Sequence, residues 1–179
     1  TGFETCARVV NGSNVSIELN GGTVEGSIYG GGEFAQFEDS THVTITGGVV
    51  RGNVYGGGKE GLVTGKTNVT IKSGEITGSV YGGALGKIGV KGTLVNSGST
   101  VNMSGGWIRG NLYGGSEVSD DGRQAEVDKN QSGLVFVNLT GGTVSGKVFG
   151  GGYKGRVYGS THLHIGKEAL AKCNHYKTH

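Results

Sequence analysis

One phrase recurs five times along this chain of 179 residues: Ile28-Tyr29-Gly30-Gly31-Gly32, Val54-Tyr55-Gly56-Gly57-Gly58, Val80-Tyr81-Gly82-Gly83-Ala84, Leu112-Tyr113-Gly114-Gly115-Ser116 and Val148-Phe149-Gly150-Gly151-Gly152. A strand-turn phrase repeated at near-fixed spacing builds one supersecondary unit many times and stacks the copies. Its aromatic positions lie 26, 26, 32 and 36 residues apart, so the core unit is 26 residues long. Both longer intervals arise after the glycine corner, where Leu85 to Ser99 and Glu117 to Gly133 are inserted. A sixth copy begins at Ser160-Thr161-His162-Leu163-His164-Ile165 and then dissolves.

Within each unit, apolar residues alternate with small or polar ones, as in Val43, Ile45, Val50 and Val54. Period-2 alternation in short, glycine-broken runs of β-branched residues predicts short strands with one buried face. Equivalent strands of successive units would pair about 4.8 Å apart, which gives four buried columns. The first is Ile17, Val43, Val69, Val101, Val137 and Leu163, and the second is Leu19, Ile45, Ile71, Met103, Leu139 and Ile165. Val24, Val50, Ile76, Ile108 and Val144 make the third, and Ile28, Val54, Val80, Leu112 and Val148 the fourth. The expected fold is all-β, a right-handed parallel β-solenoid (β-helix) of five full coils and a partial sixth.

Forty glycines supply corners, and the absence of proline leaves every backbone N–H available to ladders between coils. No Gly-X-Y period exists and 34% of residues are hydrophobic, so an ordered repeat is favoured over a collagenous or disordered chain. The expected organisation is one domain, with an N-terminal edge or cap over 1–13, repeats over 14–166, and a helical cap or disordered tail over 167–179. The helical expectation rests on Lys167-Glu168-Ala169-Leu170-Ala171-Lys172.

The Thr-Val-x-Gly-x-Val-Tyr-Gly-Gly-Gly phrases resemble the glycine-rich β-solenoid repeats of large bacterial surface and secreted proteins, such as adhesin and autotransporter passenger regions. The resemblance spans roughly Asn14 to Ile165. It implies an exported, extracellular or cell-surface bacterial protein, and it transfers no site residues.

Net charge is +2 and no basic stripe appears, which argues against nucleic acid as a partner. No run approaches the ~20 apolar residues of a helical membrane span. Tyr29, Tyr55, Tyr81 and Tyr113 follow buried aliphatics directly, so alternation turns them off the core into an aromatic ladder. Such a ladder either packs the fold or binds an extended glycan, and exposure of the rings decides between the two. Trp107 sits in an outward phase and is either a sugar platform or a packed side chain. Glu25 and Arg51 are expected to pair across one step, beside a solvated column of Ser27, Asn53, Ser79, Asn111 and Lys147.

The loops after the glycine corner are the expected recognition surface for host or bacterial glycans or proteins, with Glu38, Asp39 and Glu60 as ligand-binding candidates. Glu38 with Glu60, or Asp39 with Asp121, are the acid pairs a polysaccharide lyase or glycoside hydrolase would use if held ~5 to 9.5 Å apart. No spacing demands it, and no G-x-S-x-G or phosphate-binding glycine motif is present. Asp120, Asp121 and Asp128 are a weak calcium set without EF-hand spacing, so calcium is the one cofactor candidate. His162, His164, Cys173, His175 and His179 match no zinc-ligand pairing except the H-x-x-x-H spacing of His175 to His179, which lies in the tail. Cys6 and Cys173 lie at opposite ends of the stack, too far apart for an internal disulfide, and are read either as small buried residues under the end coils or as an end-to-end link in self-association. The reading is a non-catalytic structural or adhesive module, with a polysaccharide-binding or polysaccharide-degrading β-helix as the alternative.

Overall fold

The computed structural model describes residues 8–9, 14–87, 94–95, 97–121 and 134–172. Among them every regular element is a strand, all strand pairing is parallel, and no helix is long and apolar enough to cross a membrane. The fold is all-β and solenoid-like. Successive repeats lie on one another as layers, and one 14-stranded sheet curls around an aliphatic core.

Three rows of strands make this sheet. The long row stacks Val15–Leu19, Thr41–Ile45, Thr67–Ile71, Gly98–Met103, the start of Leu134–Phe149 and the start of Thr161–Lys172. Its register aligns Ile17, Val43, Val69, Val101, Val137 and Leu163, the column expected from the sequence. The middle row stacks Thr23–Val24, Val49–Val50, Glu75–Ile76 and Trp107–Ile108 onto Thr143 and Val144. The tyrosine row stacks Ile28–Tyr29, Val54–Tyr55, Val80–Tyr81 and Leu112–Tyr113 onto Val148 and Phe149. All four apolar columns are aligned as expected, and their inner members are buried.

Two glycine positions per repeat fix this geometry. Gly48, Gly74, Gly106 and Gly142 turn the chain between long and middle rows at φ of 85°, 93°, 85° and 86°, a region that disfavours other residues. Gly30, Gly56 and Gly82 sit where a Cβ would overlap the carbonyl of the equivalent glycine in the next layer. That closeness is stabilised from inside. Buried Thr41, Thr67 and Ser99 donate hydrogen bonds of 2.6 Å to the carbonyls of Gly56, Gly82 and Gly114.

Two sequence expectations need correction. Lys167–Lys172 is not helical but continues the strand Thr161–Lys172, paired with Leu134–Phe149. The open edge of the preceding layer offers ladder partners, and Ala169 packs on the core, so tertiary pairing overrides local helix propensity. Part of the chain expected as loops past the glycine corner also forms a row of short strands and bridges among the described residues. Arg8–Val9 pairs with Gln36–Phe37, Phe37 bridges Val63, Val63 bridges Val95, and Leu94–Val95 pairs with Asp120–Asp121. This fourth, outer row buries Val63 and Val95 completely. Cys6, Asp128, Cys173, His175 and His179 lie outside the described residues.

Candidate functional site

The tyrosine row carries the repeated aromatic. Tyr29, Tyr55, Tyr81, Tyr113 and Phe149 stack with centroids 4.9, 5.0, 4.9 and 4.8 Å apart and planes within 6° of parallel. The ring spacing is the inter-strand spacing, so parallel register alone brings the faces together. Alternation does turn the rings off the aliphatic core, but it does not expose them. Tyr55, Tyr81 and Tyr113 are 2%, 6% and 5% exposed, in a second cluster with Leu85 packed against it.

The cover comes from the chain just past the glycine corner. Lys59 N–H donates to the Gly32 carbonyl, Leu85 to Gly58, Glu117 to Ala84 and Tyr153 to Ser116. These bonds align Glu33, Lys59, Leu85, Glu117 and Tyr153 as a column beside the rings, with Tyr153 edge-on to Tyr113 at 5.8 Å. Of the sequence-derived ligand candidates, Tyr55, Tyr81 and Tyr113 are therefore scaffold, and Tyr29, half-buried at the end of the stack, keeps an accessible ring. It lines an open hollow of about 280 Å³ with Gly31, Glu33 and Lys59.

The phenol oxygens are held in place. Asn53 Nδ2 donates to the Tyr55 oxygen at 3.0 Å, Tyr55 in turn donates to Glu117 Oε2, and Asn111 Nδ2 donates to the Tyr113 oxygen at 3.2 Å. Burial, and then the hydrogen bond to Glu117, push the Tyr55 phenol well above its ordinary range. Burial raises Tyr81 and Tyr113 as well, and the Glu117 charge adds to both shifts. These phenols stay protonated at neutral pH and serve as packing surface, and that of Tyr55 also serves as a donor.

The neighbouring column, expected to be solvated, is a hydrogen-bonded spine. Ser27 Oγ accepts from Asn53 N–H at 2.9 Å, Asn53 Oδ1 from Ser79 N–H at 2.8 Å, Ser79 Oγ from Asn111 N–H at 3.0 Å, and Asn111 Oδ1 from Lys147 N–H at 2.8 Å. Asn53 and Asn111, two layers apart, are linked through Ser79. The serine and asparagine alternation at the repeat spacing was the available signal.

Charged candidates are engaged between layers. Glu25 meets Arg51 at 3.0 Å, as expected. Glu33 meets Lys59 at 2.6 Å, a hydrogen bond that raises the Lys59 ammonium above its ordinary range. Glu60 faces Lys87 at 3.9 Å. Asp39 Oδ1 accepts from Ser40 N–H at 3.0 Å, and the Glu38 carbonyl accepts from Thr64 Oγ1 at 2.6 Å. Glu38 thus aligns with Thr64, whereas Glu60 aligns with Phe34, so the two acids occupy different steps of the ladder. Trp107 is 39% exposed, its Nε1 donates to Ser145 Oγ at 2.7 Å, and the Arg109 guanidinium covers its ring at 3.9 Å. Arg109 also pairs with Glu75.

The backbones of Asp120 and Asp121 belong to the outer row. Among the described residues no group of three or more His, Cys, Asp or Glu is gathered as a metal site. No protein-family model, curated protein or solved structure gives a significant match to this chain.

Proposed function

We propose that this chain is a non-catalytic structural or adhesive module of an exported bacterial surface protein. It is a right-handed parallel β-solenoid of five full coils and a partial sixth on a 26-residue core repeat, acting as a rigid stalk that displays the face past the glycine corner. The observation that carries this reading is the burial of the repeated aromatic: Tyr55, Tyr81 and Tyr113 bind one layer to the next and offer no surface to a ligand. The ion pairs of Glu33, Glu60 and Glu75 likewise join residues of different repeats, which suits stiffness more than acid-base chemistry.

A second reading, glycan binding, is favoured by the open hollow where the Tyr29 ring stands beside Glu33 and Lys59. An aromatic face flanked by a carboxylate and an ammonium has the chemistry to stack on a sugar ring and bond its hydroxyls. A glycan-array assay on the purified chain, with and without calcium and with aliquots kept for product analysis, tests both readings. The expected result is no product release. Any binding should be lost in Tyr29→Ala and kept in Tyr81→Phe. Release of cleaved polysaccharide overturns the non-catalytic reading.

A further inference from the structure

The long row of strands presents an outer face. Between its buried columns, His42, Asn68, Thr100 and Phe136 align across four layers, and Thr44, Thr70, Asn102 and Asn138 align beside them. All eight are half-buried and alternate with buried residues such as Val43, Val69, Val101 and Val137. Each of the four strands is paired on both sides, so this face is interior to the stack and owes nothing to where the chain begins or ends.

Much of its hydrogen-bonding capacity is free. On the inner side of the same row, hydroxyls serve the scaffold, as Thr41, Thr67 and Ser99 do at the glycine carbonyls. On the outer face, Asn138 Nδ2 donates to Asn102 Oδ1 at 2.9 Å and Asn68 Nδ2 to the Thr41 carbonyl at 3.4 Å. Among the described residues, the side chains of His42, Thr44, Thr70 and Thr100 have no hydrogen-bond partner.

The charge of this face is one-sided. Stretches 40–46, 66–72, 98–104 and 134–140 contain Lys66 and Lys72 and no aspartate, glutamate or arginine. Both lysines are exposed, and among the described residues neither has an ion-pair partner, whereas Arg51, Lys59, Lys87 and Arg109 each face a glutamate. They flank Thr67–Ile71 and stand about 20 Å apart at ~3.3 Å per residue, with Asn68 and Thr70 between them.

Charge complementarity and hydrogen bonding together select the occupant. Hydroxyls, amides and an imidazole that both donate and accept match the hydroxyls of a sugar chain, and two unpaired ammonium groups match carboxylates. A peptide strand finds no backbone edge to join, because each strand already has both neighbours. Two lysines also fall short of what a nucleic-acid phosphate backbone requires.

We propose that this face binds an acidic polysaccharide, a linear glycan bearing carboxylates, laid along Thr67–Ile71 with carboxylates at Lys66 and Lys72 and hydroxyls at Asn68, Thr70 and Thr100. The proposal goes beyond the stalk reading and does not depend on the hollow at Tyr29.

Isothermal titration of the full chain with polygalacturonate, alginate and hyaluronate is the test. At least one should bind at low salt, more weakly as salt rises, and the fully methyl-esterified form of polygalacturonate should not bind. Lys66→Gln and Lys72→Gln should each weaken binding by up to about fivefold, and the double variant by the product, since the sites are far apart. Thr70→Val keeps the side-chain shape and should weaken binding about twofold to tenfold by removing a hydroxyl. Lys147→Gln, at an exposed lysine of the asparagine spine, should change nothing. Tyr29→Ala tells the two sites apart, abolishing binding at the hollow and leaving binding at this face intact. Circular dichroism of each variant checks the fold. Failure to bind all three chains at low salt, equal binding of the methyl ester or of polyglutamate, or equal weakening by Lys147→Gln and Lys66→Gln would each overturn the inference.

Discussion

The Tyr55 phenol donates a hydrogen bond to the carboxylate of Glu117, 62 residues later in the chain. Glu117 belongs to the column that covers the tyrosine stack, two layers beyond Tyr55. The bond therefore clamps the segment past the glycine corner onto the repeat scaffold. It also makes a neutral Tyr55 part of the folded structure, since a phenolate cannot donate.

Alkaline pH should unfold the protein through these phenols. Tyr55, Tyr81 and Tyr113 are raised when folded, chiefly by burial, and return to about 10 when unfolded. Their stabilisation is therefore complete below pH ~10 and is lost as pH rises above it, because the unfolded chain releases protons that the folded chain retains. Each such tyrosine contributes a slope of up to about 1.4 kcal/mol per pH unit. Urea midpoints measured from neutral to strongly alkaline pH should fall steeply past that point, and Glu117→Gln should lower stability at pH 7 by about 1–3 kcal/mol through loss of a charged acceptor.

Within the stack, Tyr81→Phe and Tyr81→Ala should differ sharply. Phe149 already fills the equivalent place at the far end of the tyrosine row, against Tyr113 at 4.8 Å, so a ring without its oxygen keeps the stacking. Tyr81→Phe should cost about 1 kcal/mol or less, and Tyr81→Ala about 3–5 kcal/mol by opening a cavity between Tyr55 and Tyr113. Thermal or urea denaturation reads both. Equal losses in the two variants would mean that ring stacking is not what holds the layers here.

The core columns were legible because period-2 alternation and a 26-residue repeat mark the same residues, as at Val43, Ile45 and Val54. The outer row was not. Phe37, Val63 and Val95 share no flanking phrase, although they are 26 and 32 residues apart, the same spacings as Tyr29, Tyr55 and Tyr81 to Tyr113. Alternation correctly turned the tyrosines off the core, but what covers them depends on how the chain returns past Leu85 and Glu117. Lys167–Lys172 read as helix because local propensity contains no information on the free edge beside it. At the candidate site, Glu38, Asp39 and Glu60 were reachable as loop acids, while the hollow at Tyr29 depends on where the stack ends.

Glycines that look alike in sequence should respond very differently to alanine. A Cβ on Gly82 would overlap the Gly114 carbonyl, whereas a Cβ on Gly26 would meet nothing within 4 Å. Gly82→Ala should force adjacent layers apart and lose more than about 4 kcal/mol, the range reserved for core disruption. Gly26→Ala should be neutral or stabilise by up to about 1 kcal/mol through reduced freedom of the unfolded chain. Soluble yield and melting temperature of the two variants separate these outcomes, and tolerance of Gly82→Ala would contradict the close inter-layer approach.

The spine beside the tyrosines gives the most local test. Ser79 Oγ accepts from the Asn111 N–H at 3.0 Å while the Ser79 N–H donates to Asn53 Oδ1 at 2.8 Å, so Ser79 links the two asparagine positions of that column. Ser79→Ala leaves this half-buried N–H without its acceptor, at a cost of about 1–3 kcal/mol. Ser79→Asn restores an acceptor of the kind that Asn53 already presents to Ser79 and Asn111 to Lys147, so it should retain most of the stability. Amide hydrogen exchange distinguishes the spine from general packing: the Asn111 amide should lose protection in Ser79→Ala and regain it in Ser79→Asn. Loss of protection spread evenly over all rows would instead assign the effect to global destabilisation, and the spine would then hold no more of the fold than any other polar column.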